Sequence, residues 1–361
     1  MTPNNPPATP PRTGVLLINL GSPDSTDVGD VRTYLREFLM DGRVIDAPWP
    51  VRFMIVHGFV LPFRPRKSAE AYESIWTPKG SPLVVMSQRV TELLQERLEQ
   101  PVALAMRYRL PRVTTALERL KEQGVERVLL VPLFPHYAMS SYESAVEEVR
   151  RCVREEFPGM DLRVCPPYYR HPSYIDALAA ATLPHLTEPW DHLLISFHGI
   201  PERHLKKSDP THSHCLRSGS CCRVPNPAHA TCYRHQCYET ASGLIEKAGL
   251  PPEKVSVSFQ SRLGRDAWIR PYTEPELARL AESGVRRLKV LCPAFVSDCL
   301  ETLEEIAVRG REVFLHHGGQ ELELIPCLND HPRWIDALVD LVQETETTQT
   351  GTLPERPITT R

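Results

Sequence analysis

The 361-residue sequence predicts an α/β fold built twice, as two similar domains that each carry a parallel β-sheet flanked by helices and that face one another across a cleft. Three observations carry that prediction. The apolar runs GVLLINL (14–20), RVLLVPLF (127–134) and LLISF (193–197) are continuous rather than alternating, as in strands buried on both faces. Amphipathic stretches separate them, which gives the β-α-β alternation of a parallel sheet. The second half also repeats the first. LLINLGSP at 16–23 is echoed by LLISFHGIP at 193–201, and GVERVLLVPLF at 124–134 by GVRRLKVLCPAF at 284–295. Two matches in the same order point to a duplication.

The length allows two domains of roughly 150 residues each, placed at 13–170 and 171–344. Residues 1–12 are polar and Pro-rich, lack the apolar centre of an export signal, and are expected to form a disordered leader. Residues 345–361, poor in apolar side chains, are expected to form a disordered tail. Hydrophobic residues make up 41% and charged residues 24%, an ordinary soluble composition. Lys and Arg total 42 against 45 Asp and Glu, a net charge of −3, so no nucleic-acid footprint is expected. No apolar run approaches the ~20 residues that span a bilayer, and a cytoplasmic location follows as the expectation.

In chain order, Gly21, Ser22 and Pro23 close the first strand sharply. Asp27 or Asp30 caps a helix on which Val31, Leu35, Phe38 and Leu39 share a face. Residues 51–63 (VRFMIVHGFVLPF) are strongly apolar, and Arg64, Arg66 and Lys67 follow at once. One reading is a buried helix. The other is an apolar lip that holds a flat hydrophobic ligand or makes a peripheral membrane contact. A helix at 84–100, a strand at 102–107, a helix at 113–123, a strand at 127–134 stopped by Pro135, a helix at 143–157 and a short strand at 162–165 complete the first half.

The chemistry-bearing residues stand at strand ends. His198 closes the run 193–197, and in open α/β sheets ligands bind beyond the carboxyl ends of strands. Imidazole takes a proton or binds a metal near neutral pH. SDCLETLEE (297–305) follows the strand at 288–295. Its Asp298, Glu301 and Glu305 fall at i, i+3 and i+7, one face of a helix, and such a file suits proton relay or cation handling. The plainer reading makes Ser297 or Asp298 an N-cap, Glu301 its capping-box partner and Glu305 a solvated side chain. Gln260, Ser261 and Arg262 follow the strand at 255–259, and Arg262 and Arg265 can bind carboxylates bidentately. Arg107 and Tyr108 lie at the matching strand end of the first half.

Five of the ten cysteines are scattered (Cys152, Cys165, Cys292, Cys299, Cys327). The other five, Cys215, Cys221, Cys222, Cys232 and Cys237, crowd into an insert at 204–237, interspersed with His204, His212, His214, His229 and His235. Clustered thiols in a reducing compartment bind metal more often than they form disulfides. Apolar residues are scarce here, so no core can hold the loop and a cross-linking metal would. The spacing C-x5-CC-x9-C-x4-C does not fit the paired C-x2-C knuckles of structural zinc.

Taken together, INLGSP (18–23), AYESIWTPKGSPL (71–83), MRY (106–108), SFHGIP (196–201), SFQSRLG (258–264) and AFVSDCLETLEE (294–305) resemble the ferrochelatase family, with a likeness running from about Thr13 to Val342. The resemblance implies two Rossmann-like domains with a porphyrin cleft between them. It implies insertion of Fe(II) into a porphyrin with release of two protons, in haem biosynthesis, with porphyrin and ferrous iron as partners. His198 matches the family's active-site histidine, described as proton acceptor or iron ligand, and Glu301 its acidic partner across the cleft. Asp298 and Glu305 match the acidic path, and Leu20, Arg107, Tyr108, Gln260, Ser261 and Arg262 are implied at the substrate. Leu20 stands where the coproporphyrin-using branch tends to carry Tyr, which favours protoporphyrin IX. A chelatase for coproporphyrin III or another metal, and a non-catalytic haem carrier with a redox cluster, are the alternatives. Cys299 replaces the histidine of many relatives. A subset of bacterial members binds a [2Fe–2S] cluster through an internal cysteine segment. That implies four of the five insert cysteines as ligands, with Cys221, Cys222 or Cys237 as the spare and zinc as the alternative occupant. The expected assembly is a monomer or homodimer.

Overall fold

The computed structural model describes residues 11–347 except Leu263 and Arg265. Most of the expected leader and tail, and the Arg265 guanidinium, lie outside the described residues. Residues 345–347 close the last helix, Pro332–Thr347.

Eight strands form two four-stranded sheets. β1 (Thr13–Asn19), β2 (Val102–Met106), β3 (Arg127–Pro132) and β4 (Asp161–Val164) take the order β2-β1-β3-β4. β5 (His192–His198), β6 (Val255–Gln260), β7 (Arg287–Leu291) and β8 (Glu321–Leu324) take the order β6-β5-β7-β8. Every pairing is parallel, and the order is the same in both sheets. The repeat seen in the sequence is therefore a repeat of topology. Central strands β1 and β5 are covered on both faces: Val15 to Ile18, Leu193 to Ile195 and Phe197 have no exposed surface. Continuous apolar runs were the signal for such strands. β7 is shorter than its apolar run, because Pro293 has no N–H to continue a ladder.

The last helix crosses back to the first sheet. Pro332–Thr347 packs against β3, β4 and the helices Pro82–Gln95 and Pro172–Thr182. Trp334 is fully buried there, beside Tyr168 and Tyr174. One hydrophobic cluster thus runs from Val15 to Val342 and joins the halves. A polar clasp joins them again. Asp46, from the first half, takes Arg203 at 2.6 Å, Lys207 at 2.5 Å and His204 at 3.4 Å, all from the helix Glu202–Ser208.

Residues 51–63 are not a buried helix. A short helix (Trp49–Met54) runs into a π-helical turn (Ile55–Val60) and then the helix Arg64–Glu73. Val56 and Leu61 are buried, whereas Phe53, Met54, Phe59 and Phe63 are exposed, Phe63 at 77%.

The insert joins the main core, against the expectation that no core could hold it, because the thiols themselves supply the missing apolar surface. Cys215, Cys221, Cys222, Cys232 and Cys237 are all buried and join the main core, as free Cys commonly does. Asp209 anchors the loop by accepting the N–H groups of Thr211, His214 and Cys215. Against a burial that would raise it, these bonds hold its carboxyl well below the usual range. His214 and His229 bond the Cys221 carbonyl, and His235 bonds that of Cys222.

Candidate active site

A cleft opens beyond the carboxyl ends of β1, β3, β5 and β7, with about 980 Å³ of empty space up to its mouth. Its wall is mostly apolar. Leu20, Phe38 and Phe134 face it from the first half, and Ile200, Phe295 and Leu300 from the second. His198 and Glu301 share this wall.

His198 is the last residue of β5 and lies opposite Gln260 of β6. Its Nδ1 is 2.6 Å from the Gly199 carbonyl, which can only accept. Nδ1 therefore carries the hydrogen, and Nε2 is left with a bare lone pair. The Gly199 N–H donates to the Gln260 carbonyl at 2.8 Å. A Cβ at Gly199 would stand 2.7 Å from that oxygen, so only glycine fits. The Tyr233 hydroxyl donates to the His198 carbonyl at 2.9 Å.

Glu301 sits on a single helical turn, Leu300–Leu303. Its N-cap is Cys299, whose thiol accepts the Thr302 N–H, while the Thr302 hydroxyl accepts the Cys299 N–H at 3.1 Å. Neither Ser297 nor Asp298 caps this helix, and Glu301 is not a capping partner. Its carboxyl instead faces the cleft beside the Cys299 thiol, which burial and then Glu301 push well above the ordinary range. Tyr34 is raised by burial and then by the same carboxylate, and Tyr72 by burial, then by Tyr34 and Glu301, which places both near it.

The file of acids is broken by a change of helix type. After Leu303 the chain turns into a π-helical segment, Glu305–Gly310. Asp298 and Glu305 do not line the cleft. Asp298 accepts from Asn329 Nδ2 at 2.6 Å and the Thr302 hydroxyl at 3.0 Å. Glu305 accepts from the Ser261 N–H at 2.8 Å and its hydroxyl at 2.6 Å.

Of the residues expected at the substrate, Leu20 lies in the wall and five lie outside it. Gln260 and Ser261 are engaged with the Glu301 and Glu305 region. Arg262 is exposed and lies over the Tyr272 ring. Arg107 donates to Asp41 at 2.7 Å and to Ser144, and Tyr108 donates to the same Asp41 oxygen at 2.9 Å. This buried cluster supports the wall from behind.

The sequence reading missed His136, which lies in the wall just after β3 and is 2% exposed. Its Nε2 is 2.9 Å from the Thr240 hydroxyl, whose own hydrogen goes to the Tyr169 carbonyl. Nε2 is therefore protonated, and Nδ1 has no hydrogen-bond partner among the described residues. Burial pushes its pKa down to about 3, so the ring is neutral. LFPHY (133–137) carried the signal, an apolar run ended by proline and histidine as in LLISFHGIP.

The architecture recurs in the sirohydrochlorin chelatase SirB of Bacillus subtilis subspecies spizizenii, solved in complex with cobalt. The TM-score is 0.52 at 12% identity, over 92% of this chain and 95% of that one. SirB from Bacillus subtilis with Fe3+ gives a TM-score of 0.51 at 16% identity, over 74% and 92%. At these identities the likeness is one of fold. Sequence relatives are much nearer. A ferrochelatase of Stutzerimonas stutzeri (strain A1501) is 55% identical over 329 residues, 91% of this chain and 96% of that protein. One from Azotobacter vinelandii (strain DJ / ATCC BAA-1303) is 55% identical over 91% and 97%. The ferrochelatase family model matches residues 12–346. Because that match takes in both sheets and the whole wall of the cleft, this chain belongs to the ferrochelatase family.

Proposed function

We propose that this protein inserts Fe(II) into protoporphyrin IX to give protohaem, with His198 accepting pyrrole protons and Glu301 meeting the metal. As a family member it is a metal chelatase of haem biosynthesis. The choice of porphyrin and the residue roles are our reading. The observation that carries it is the common wall, where an imidazole with a bare Nε2 and a carboxylate face one apolar cleft.

A free-base porphyrin carries two pyrrole N–H groups, and both protons leave as the dication enters. Nε2 of His198 takes one pyrrole proton, freeing that nitrogen's lone pair for iron, and releases it to solvent before taking the second. Carboxylate and imidazole both suit ferrous iron as it sheds its water. Apolar contacts around the macrocycle supply binding energy that favours a puckered ring with a lone pair turned to the metal. Asp298 and Glu305, outside the cleft wall, anchor the turn that carries Glu301 through Thr302 and Ser261. Leu20 contacts the porphyrin and favours protoporphyrin IX over coproporphyrin III. Arg107, Tyr108, Gln260 and Ser261 act as supports behind the wall. The exposed apolar residues of 49–63, with Arg64, Arg66 and Lys67 next to them, make a peripheral contact with an anionic membrane surface, from which an apolar porphyrin arrives.

The insert is read as the holder of a [2Fe–2S] cluster. The donor set fits. Five thiols are buried together, Cys222 is hydrogen-bonded to Cys232, and Cys232 to Cys215. Among the described residues no three His, Cys, Asp or Glu side chains already stand as a metal-holding group. Loading therefore requires the thiols to deprotonate and draw together. Four of Cys215, Cys221, Cys222, Cys232 and Cys237 would hold the cluster and clip the loop. A colourless purified protein with stoichiometric zinc rejects this part.

The test of the main reading is anaerobic Fe(II) insertion, followed by the loss of free-base porphyrin absorbance. His198→Ala is expected to lose at least 100-fold in turnover while still binding porphyrin. Full turnover by that variant rejects the proposed base. Faster turnover of coproporphyrin III than of protoporphyrin IX rejects the substrate.

A further inference from the structure

The cysteine-rich insert and the cleft meet at one side chain. Tyr233 directly follows Cys232, the N-cap of the helix Tyr233–Ala248. It is 5% exposed and forms part of the cleft wall. Its hydroxyl has a single hydrogen, donated to the His198 carbonyl at 2.9 Å. Cys237, one helical turn further on, is fully buried in the same core. The ring is held as well. His136 packs edge-on against Tyr233 at 5.8 Å and against Phe197 at 5.4 Å. Phe197 and His198 are adjacent on β5, so His136 braces both ends of the bond between Tyr233 and β5.

From this geometry we propose that Tyr233 is a positioning residue for His198, so that the helix anchoring the insert sets the aim of the active-site imidazole. The link runs from the Tyr233 O–H to the His198 C=O. The carbonyl of His198 lies at the end of β5, where the ladder gives way to the Gly199 turn. Rotation of that peptide would swing both the imidazole and the Gly199 carbonyl that fixes its tautomer. Reacting groups misplaced by about 1 Å lose on the order of 10²-fold in rate. The proposal rests on the reading of His198 as the base.

The experiment uses the full-length protein and its Tyr233→Phe variant, with His198→Ala beside it. Turnover, KM for protoporphyrin IX and the absorbance and out-of-plane Raman bands of bound porphyrin are measured for each. Tyr233→Phe keeps the ring and removes the hydroxyl. It is expected to lower kcat at least tenfold, leave KM within twofold and alter the bound-porphyrin spectrum. A Tyr233→Phe kcat within twofold of wild type, or a loss confined to KM, overturns the proposal. His198→Ala separates the two readings. If it is inactive while Tyr233→Phe is unaffected, only this inference falls. If it is fully active, the assignment of the base falls first.

Discussion

Gln260 ties His198 to Glu301. Its side-chain amide donates to the Glu301 carbonyl at 2.7 Å, and its main-chain carbonyl accepts the N–H of Gly199, next to His198, at 2.8 Å. One buried residue thereby sets the spacing between the imidazole and the carboxylate. Its Oε1 is occupied as well, by the Ser196 hydroxyl at 2.8 Å.

Gln260→Leu removes the donor to Glu301 and leaves the Ser196 hydroxyl and the Glu301 carbonyl short of a partner. Stability should fall by about 1–3 kcal/mol. Turnover should fall about 10–100-fold, from a wall that no longer holds its register. Urea melts and steady-state iron insertion check the two effects separately. A variant with full turnover would show that the spacing is set elsewhere.

Asp46 clasps the two halves through Arg203, Lys207 and His204. Burial works to raise its pKa, but bonds from His204, Lys207 and Arg203 win and hold it far below the ordinary value. A depressed carboxyl contributes its stability above the unfolded value of about 4 and loses it as pH falls toward the folded value. Asp46→Asn should therefore cost about 1–3 kcal/mol at pH 7, discounted for the half-exposed lysine and arginine partners. The gap from wild type should narrow from about pH 4 downward. Chemical melts at pH 7, 5 and 3 measure it.

His136 is depressed too, but by burial of a neutral ring rather than by pairing of a charged group, and its effect on stability carries the same sign in pH. Its folded pKa, pushed to about 3 by burial, lies below the unfolded value of about 6.5. Between these values the unfolded chain binds a proton that the folded protein does not. Stability is thus complete above about pH 6.5 and falls by about 1.4 kcal/mol per unit on acidification. In His136→Gln, melts between pH 7 and pH 5 should be flatter than those of wild type. Parallel curves would mean that the ring gains its proton without unfolding.

The exposed apolar lip makes a separable prediction. Phe59 and Phe63 are 66% and 77% exposed and hold little of the core. Phe59→Asp/Phe63→Asp should leave the melting temperature within 1–2 °C, a surface effect of about 0.5 kcal/mol or less. It should abolish sedimentation with vesicles containing anionic lipid while sparing turnover in detergent. Equal vesicle binding by both proteins would remove the membrane role.

The parts legible in the sequence were those that physics writes into a local pattern. Buried strands announce themselves as unbroken apolar runs, and His198 stands where such a run stops. Its pairing with Glu301 in one wall rested on the family likeness and not on spacing. The helix-face argument for Asp298, Glu301 and Glu305 failed physically, because the chain leaves the α-helix after Leu303 and enters a π-turn. A thiol as N-cap, at Cys299, is outside the usual Ser, Thr, Asp and Asn set. β8 reads ELEL, too short and too charged to resemble its partners, since it is an edge strand with half its surface open. The return of the last helix to the first sheet is a tertiary choice that no local pattern records.

The two sheets match in strand order but not in the side chains at their strand ends. β1 and β5 occupy equivalent places, yet β5 ends in His198 while β1 ends in Asn19, tied by its amide to Ser87. His198 and Glu301, the proposed base and metal-facing acid, both come from the second half, while the first half supplies Leu20, Phe38 and Phe134 to the wall and carries the outer lip. Under that reading, substitutions in the first half should change which ligand fits before they change how protons leave it.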